Sequence, residues 1–247
     1  MPSVIYVDSA FRVEGTHSNF KILLNETLNV EDGRLRIDKI SFVNAFYTLI
    51  EGKNNYIYFY DNENLQTWFA LSEGAYTGAS MATTIQTVTG YPASYIESRN
   101  ELRITMPNAT TTVQTDENLR VQGPVGSIIS WPEGASPDKP LSINRILGVQ
   151  LREGNDIVFP FVNMSVYHDV YLRSSRLTCH NVYGPRGESD ILAKIPLQQG
   201  IGYIVDDKTP EGVFYDFGTH SLRMLDFRLA DSDDNVVDLK GNQLTFQ

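Results

Sequence analysis

Apolar residues recur at every second position in one short stretch after another, and this alternation commits most of the chain to strands with one buried face. It appears as Phe20, Ile22 and Leu24 in "NFKILL", Ile57 and Phe59 in "NYIYFY", and Leu102, Ile104 and Met106 in "LRITM". It returns as Val166, His168, Val170 and Leu172 in "VYHDVYL", and as Leu225, Phe227 and Leu229 in "LRMLDFRLA". "DSDDN" then interrupts, Val237 and Leu239 resume, "KGN" interrupts again, and Leu244 and Phe246 complete the pattern. The segment therefore predicts a hairpin followed by a short strand. Leu239, Leu244 and Phe246 are assigned to a core strand in the middle of a sheet, because a fraying end has no use for apolar residues at strand spacing.

"LRIDKISFVNAFYTLI" is a longer case, with Leu35 and Ile37 on one face and Ile40 and Phe42 on the other, so a bulge or bend is expected near Asp38 and Lys39. One stretch has the helical period instead. In "GAYTGASMATTIQTVTG", Met81, Ile85 and Val88 lie at i, i+4 and i+7, with Ser80 or Thr77 able to cap the start and Gly90 to end it. Residues 56–106 thus read as β-β-α-β-β. The Thr-, Gly- and Pro-rich run after it is expected to be an exposed excursion or a linker. Many short strands with long irregular connections point to an all-β protein, a jelly-roll β-sandwich with a small β-β-α-β-β insertion; two consecutive β domains split near residue 140 are the alternative. The expected organisation is a jelly roll over 1–52 and 141–247, with 53–140 as the inserted α+β module and its linker. The 13 Tyr and 12 Phe, against 2 Trp, suit pleated, half-buried surfaces.

Chemistry is sparse. Cys179 is the single cysteine of 247 residues, which excludes an internal disulfide and a cysteine-based zinc site and fits a reducing compartment. Neighbouring Cys179 and His180 would point to opposite faces of a strand and cannot pair as nucleophile and base. His17, His168, His180 and His220 are far apart and match no paired-ligand spacing, so no metal, cofactor or enzymatic activity is expected. "DSDDN" crowds three carboxylates but lacks the central Gly and the terminal Glu of a calcium loop, and Asp and Asn are what hairpin turns select. "GPRGES" places Arg186, Gly187 and Glu188 on a surface loop without phosphate-loop spacing. A net charge of −10 with scattered basic residues argues against direct nucleic-acid binding. "MPSVIYVDSAFR" has neither a basic segment nor a long apolar run, so synthesis in the cytoplasm is expected.

The order of several of these stretches resembles penton-like minor capsid proteins of virophages, Polinton-type elements and related small double-stranded DNA viruses. The resemblance runs through "IYVDSAFRVEGTHSNFKILL", "LRIDKISFVNAFYTLIEGKNNYIYFY", "GAYTGASMATTIQTV" and "NELRITM". It continues through "INRILGVQL" and "SDILAKIPLQQGIGYI", taken as later jelly-roll strands, to an ending marked by Asp231, Asp238, Leu239, Gly241 and Asn242. It implies a structural virion protein that forms homopentamers at the icosahedral fivefold vertices beside a major capsid protein. Arg186, Gly187 and Glu188 become, by that likeness, candidates for contact with a host receptor, while contact with a fibre or internal membrane stays open. The residues by themselves leave a rival: a receptor- or carbohydrate-binding β-sandwich of fibre-head or lectin-like type.

Overall fold

Alternation along the chain becomes register between strands in the computed structural model, which describes residues 4–60, 66–122, 130–177, 187–208 and 214–247. The chain makes two units, Met1–Phe46 with Tyr167–Gln247, and Tyr47–Val166. The first begins with β1 (Val7–Asp8), β2 (Glu14–Gly15), β3 (Asn19–Leu35) and β4 (Lys39–Val43). The second holds β5 (Tyr56–Tyr60), β6 (Gln66–Ala70), α1 (Gly78–Thr89), β7 (Ala93–Ile96), β8 (Glu101–Thr105) and β9 (Thr112–Val113). It ends with α2 (Asp116–Gln122), α3 (Asn144–Leu147), β10 (Leu151–Glu153) and β11 (Asp156–Phe159). The first unit then resumes with β12 (Asp169–Arg173), β13 (Ile191–Pro196), β14 (Ile204–Lys208), β15 (Tyr215–Ala230) and β16 (Leu244–Phe246).

In the first unit one sheet runs β1-β16-β4-β14 and the other β13-β12-β15-β3-β2. With the two-residue β2 set aside, the strands fall in the order first-eighth-third-sixth in one sheet and second-seventh-fourth-fifth in the other. Every connection except that from β12 to β13 crosses between sheets. This is the jelly roll, two Greek keys wound together. The core between the sheets is aromatic: Phe227 of β15 meets Phe246 of β16 edge-on at 4.7 Å, and Phe20 of β3 lies 5.8 Å from Phe227. Leu239, Leu244 and Phe246 are buried there, and β16 sits between β1 and β4.

The bend expected at Asp38 and Lys39 is a change of sheet. β3 ends at Leu35 and β4 starts at Lys39 in the opposite sheet, while Ile37 is buried at the crossing. That reverses the faces of Leu35 and Ile40 without a bulge.

In the second unit β10-β11-β8-β7 and β6-β5-β9 form two sheets. α1 buries Met81, Ala82 and Ile85 in their common core. Thr77 and Ser80 form a reciprocal capping box at its start, and Gly90 closes it at φ 75°, where a side chain would be strained. The unit is wider than the expected 53–140, because β11 pairs with β8 and carries Ile157 and Phe159 into the same core. "INRILGVQL", expected among the jelly-roll strands, belongs to this unit: Ile143, Ile146 and Leu147 bury at helical spacing in and before the single turn of α3. The run expected as excursion or linker also contributes, since β9 pairs with β5 and Leu119 of α2 is fully buried.

Candidate interaction surfaces

Two of the three carboxylates of "DSDDN" have separate duties. Asp231 organises the turn, its Oδ1 accepting the backbone N–H of Asp233 and of Asn235, both at 2.9 Å. Asp234, at φ 67°, turns instead toward two arginines. Arg173 at the end of β12 and Arg228 on β15 lie directly opposite one another in register. Like charges so placed repel, and carboxylates must intervene. Asp190 does so with one oxygen to each, 3.0 Å from Arg173 Nη1 and 2.7 Å from Arg228 Nη2. Asp234 Oδ1 lies 3.1 Å from Arg228 Nη2 and 3.4 Å from Arg173 Nε. Glu188 Oε1 completes the cluster at 3.7 Å from Arg173 Nη2. Arg173 is 0% exposed, and these carboxylates replace only part of the water that a guanidinium would otherwise bind: Nη1 is hydrogen-bonded, whereas Nε and Nη2 have ion-pair contacts without a hydrogen bond. The crowded acidic turn is thus a hairpin turn that also supplies an ion-pair partner.

This cluster also locates part of the expected receptor loop. Glu188 points back to Arg173, Gly187 is exposed at φ 86°, and Arg186 lies outside the described residues, as do Cys179 and His180. A second tie had no sequence signal. The buried Ser9 Oγ accepts the Leu244 N–H at 2.9 Å and lies 2.8 Å from His17 Nδ1, which fastens the segment after β1 to the start of β16. A serine in "VDSAF" looks like any turn residue until its partner from the far end of the chain is in place.

The flanks of the jelly roll are unlike each other. β1 and β2 end the two sheets on one side, and between them Phe11 (81% exposed) and Val13 face solvent. β13 and β14 end them on the other side, where Ile201 and Tyr203 (64% exposed) project from the turn before β14. That turn is held to the end of β4 by Asn44, whose N–H donates to Tyr203 O and whose Nδ2 donates to Gln199 O. Among the described residues both flanks therefore combine open strand edges with large apolar side chains, a surface that costs free energy in water unless something covers it.

No protein-family model matches the sequence, and no curated protein does. Among solved structures, the mavirus penton protein aligns over 98% of this chain and 97% of its own, at 9% identity and a TM-score of 0.48. A chain of the Sputnik virophage aligns over 100% and 98%, at 12% identity and a TM-score of 0.46. Both are virophage proteins.

Proposed function

We propose that the protein is a structural capsid protein of a small double-stranded DNA virus, a penton that closes into a homopentameric ring at the fivefold vertex next to a major capsid protein. The observation that carries this reading is the pair of unlike apolar flanks on one jelly roll. A patch that must meet a different patch on the next copy gives a head-to-tail contact, and repetition of that contact at a fixed rotation closes a ring. Phe11 and Val13 of one copy face Ile201 and Tyr203 of the next. The resemblance of the sequence stretches to penton-like proteins supports the number five and the vertex position. With a charge of −10 on each copy, ring assembly strengthens as salt screens the repulsion.

Native mass spectrometry over a series of protein and salt concentrations tests the proposal. Rings of five are expected for the wild type, and neither Phe11→Glu nor Tyr203→Glu forms them. An equimolar mixture of the two variants is the sharper test, because each retains one intact flank: it yields dimers and nothing larger. A stable trimer, or rings from either single variant, refutes the proposed contact.

A further inference from the structure

The outer face of the β1-β16-β4-β14 sheet carries an open groove of about 410 Å3. Its floor follows from the register. Asp8, Thr245 and Ser41 stand in one row across β1, β16 and β4, and Asp206 of β14 continues the row beyond the groove's lining, so two short hydroxyl side chains lie between two carboxylates. Tyr6, Lys39 and Gln247 rise beside this row and make the trough. The residues between them in sequence, Val7, Phe246, Ile40, Phe42 and Val205, point into the core, which fixes the polar face outward.

Three features of the groove specify its ligand. Its side-chain charges cancel: of the residues that line it only Asp8 and Lys39 carry a charged side chain, and they are opposite in sign, with Lys39 Nζ 3.0 Å from Asp206 Oδ1 on the next strand. On a chain of net charge −10 this is a neutral island, and it favours neither an anion nor a cation. Next, the Tyr6 phenol, the Ser41 hydroxyl and the Gln247 side-chain amide have no hydrogen-bond partner among the described residues, whereas the backbones of Ser41 and Gln247 are fixed by strand pairing. Finally, the Tyr6 ring is 78% exposed at the rim, an apolar plate with a polar tip.

From these we infer that the groove binds a neutral, hydroxyl-rich ligand: an uncharged oligosaccharide whose C–H face lies on Tyr6 and whose hydroxyls meet Ser41, Thr245 and Gln247. A volume near the lower end of the usual range for small-molecule sites suits one or two sugar rings. None of the side chains proposed for the ring contact, Phe11, Val13, Ile201 and Tyr203, lines the site.

Saturation-transfer NMR on the full chain, with lactose, maltotriose and chitotriose as neutral probes and sialyllactose as a charged one, tests it. At least one neutral sugar is expected to show transfer. Tyr6→Ala should weaken its binding about tenfold, equivalent to about 1.4 kcal/mol. Gln247→Ala should weaken it less, and Tyr6→Phe should retain most of it. Both Tyr6 variants should melt at the wild-type temperature, because the side chain is exposed. Transfer to none of the neutral sugars, stronger transfer to sialyllactose than to all of them, or binding that Tyr6→Ala leaves unchanged overturns the assignment.

Discussion

Replacing Arg173 by Met should be among the most damaging single changes in the jelly roll. The substitution keeps a long side chain on β12 but removes the charge from a position that water does not reach. Asp190 and Asp234 then share Arg228 alone where they shared two guanidiniums, and Glu188 loses its contact with Arg173. Removing one partner of a buried pair commonly costs about 3–5 kcal/mol, because the charge left behind keeps its desolvation penalty. At about 2–4 °C per kcal/mol for chains of this size, the melting temperature should fall by roughly 6–20 °C. Arg173→Lys should lie between wild type and Met: it keeps the charge, but one ammonium cannot reach the three separate positions served by Nη1, Nε and Nη2.

Calorimetry with urea denaturation measures these losses, and a double-mutant cycle with Asp190→Asn separates the pair from the rest. A coupling of about 0.5–3 kcal/mol is expected. Only Nη1 makes a short hydrogen bond, to Asp190, and the contacts at 3.4 and 3.7 Å are looser, so Asp190 should couple more strongly than Asp234 or Glu188. Molar salt should leave most of the effect in place, since screening acts chiefly on exposed charges. A fall of less than about 2 °C for Arg173→Met, well below that range, would refute the claim that the cluster holds the hairpin turn to the sheet.

Two further outcomes follow from burial. Deleting residues from Leu239 onward removes Leu239, Leu244 and Phe246 and takes β16 from between β1 and β4; at about 1.5–3 kcal/mol each, the lost burial is roughly 5–9 kcal/mol against a typical stability of 5–15, so the truncated chain should not fold, and an unchanged melting temperature would show the segment to be dispensable. In the second unit, burial, reinforced by Tyr56 and Asp116, pushes the Tyr58 phenol far above its ordinary value while its hydroxyl donates to Pro140 O at 2.6 Å. The folded state therefore holds that proton more tightly than the unfolded chain. The resulting stabilisation is complete below about pH 10 and declines as pH rises beyond it. Urea titrations at alkaline pH should show Tyr58→Phe losing less stability than wild type, and parallel profiles would count against this.

What the sequence made legible depended on where the partner of each residue lay. α1 could be bounded at both ends because Thr77, Ser80 and Gly90 act within one or two turns of the residues they serve. β16 was legible because an apolar alternation beside turn residues has few other uses. Most of β3 beyond Leu24 was not. Residues 25–31 are largely polar and solvated on both faces, and pairing with β15, from far along the chain, makes them a strand. Arg173 was misleading for the same reason: in "VYHDVYL" and the arginine after it, alternation puts Tyr171 and Arg173 on the wet face, yet that face is covered by carboxylates that come from residues 188–190 and 234.

The position of the second unit has a topological reason. β4 and β12 are consecutive jelly-roll strands that lie in different sheets, so no ladder hydrogen bond joins them and the connection between them already has to cross from one sheet to the other. Loop-closure entropy grows only with the logarithm of length, so lengthening such a crossing costs little once the inserted residues have a core of their own. Tyr47–Val166 has one, built from α1 and two sheets, and among the described residues its strands pair only with one another. An insertion between β12 and β13 would behave differently. Those strands pair directly, Val170 with Ile195 and Leu172 with Ala193, and their register carries Arg173 to Asp190. Additional chain next to Asp190 would therefore act on the charge cluster as well as on loop closure, which sets this connection apart from the crossing between β4 and β12.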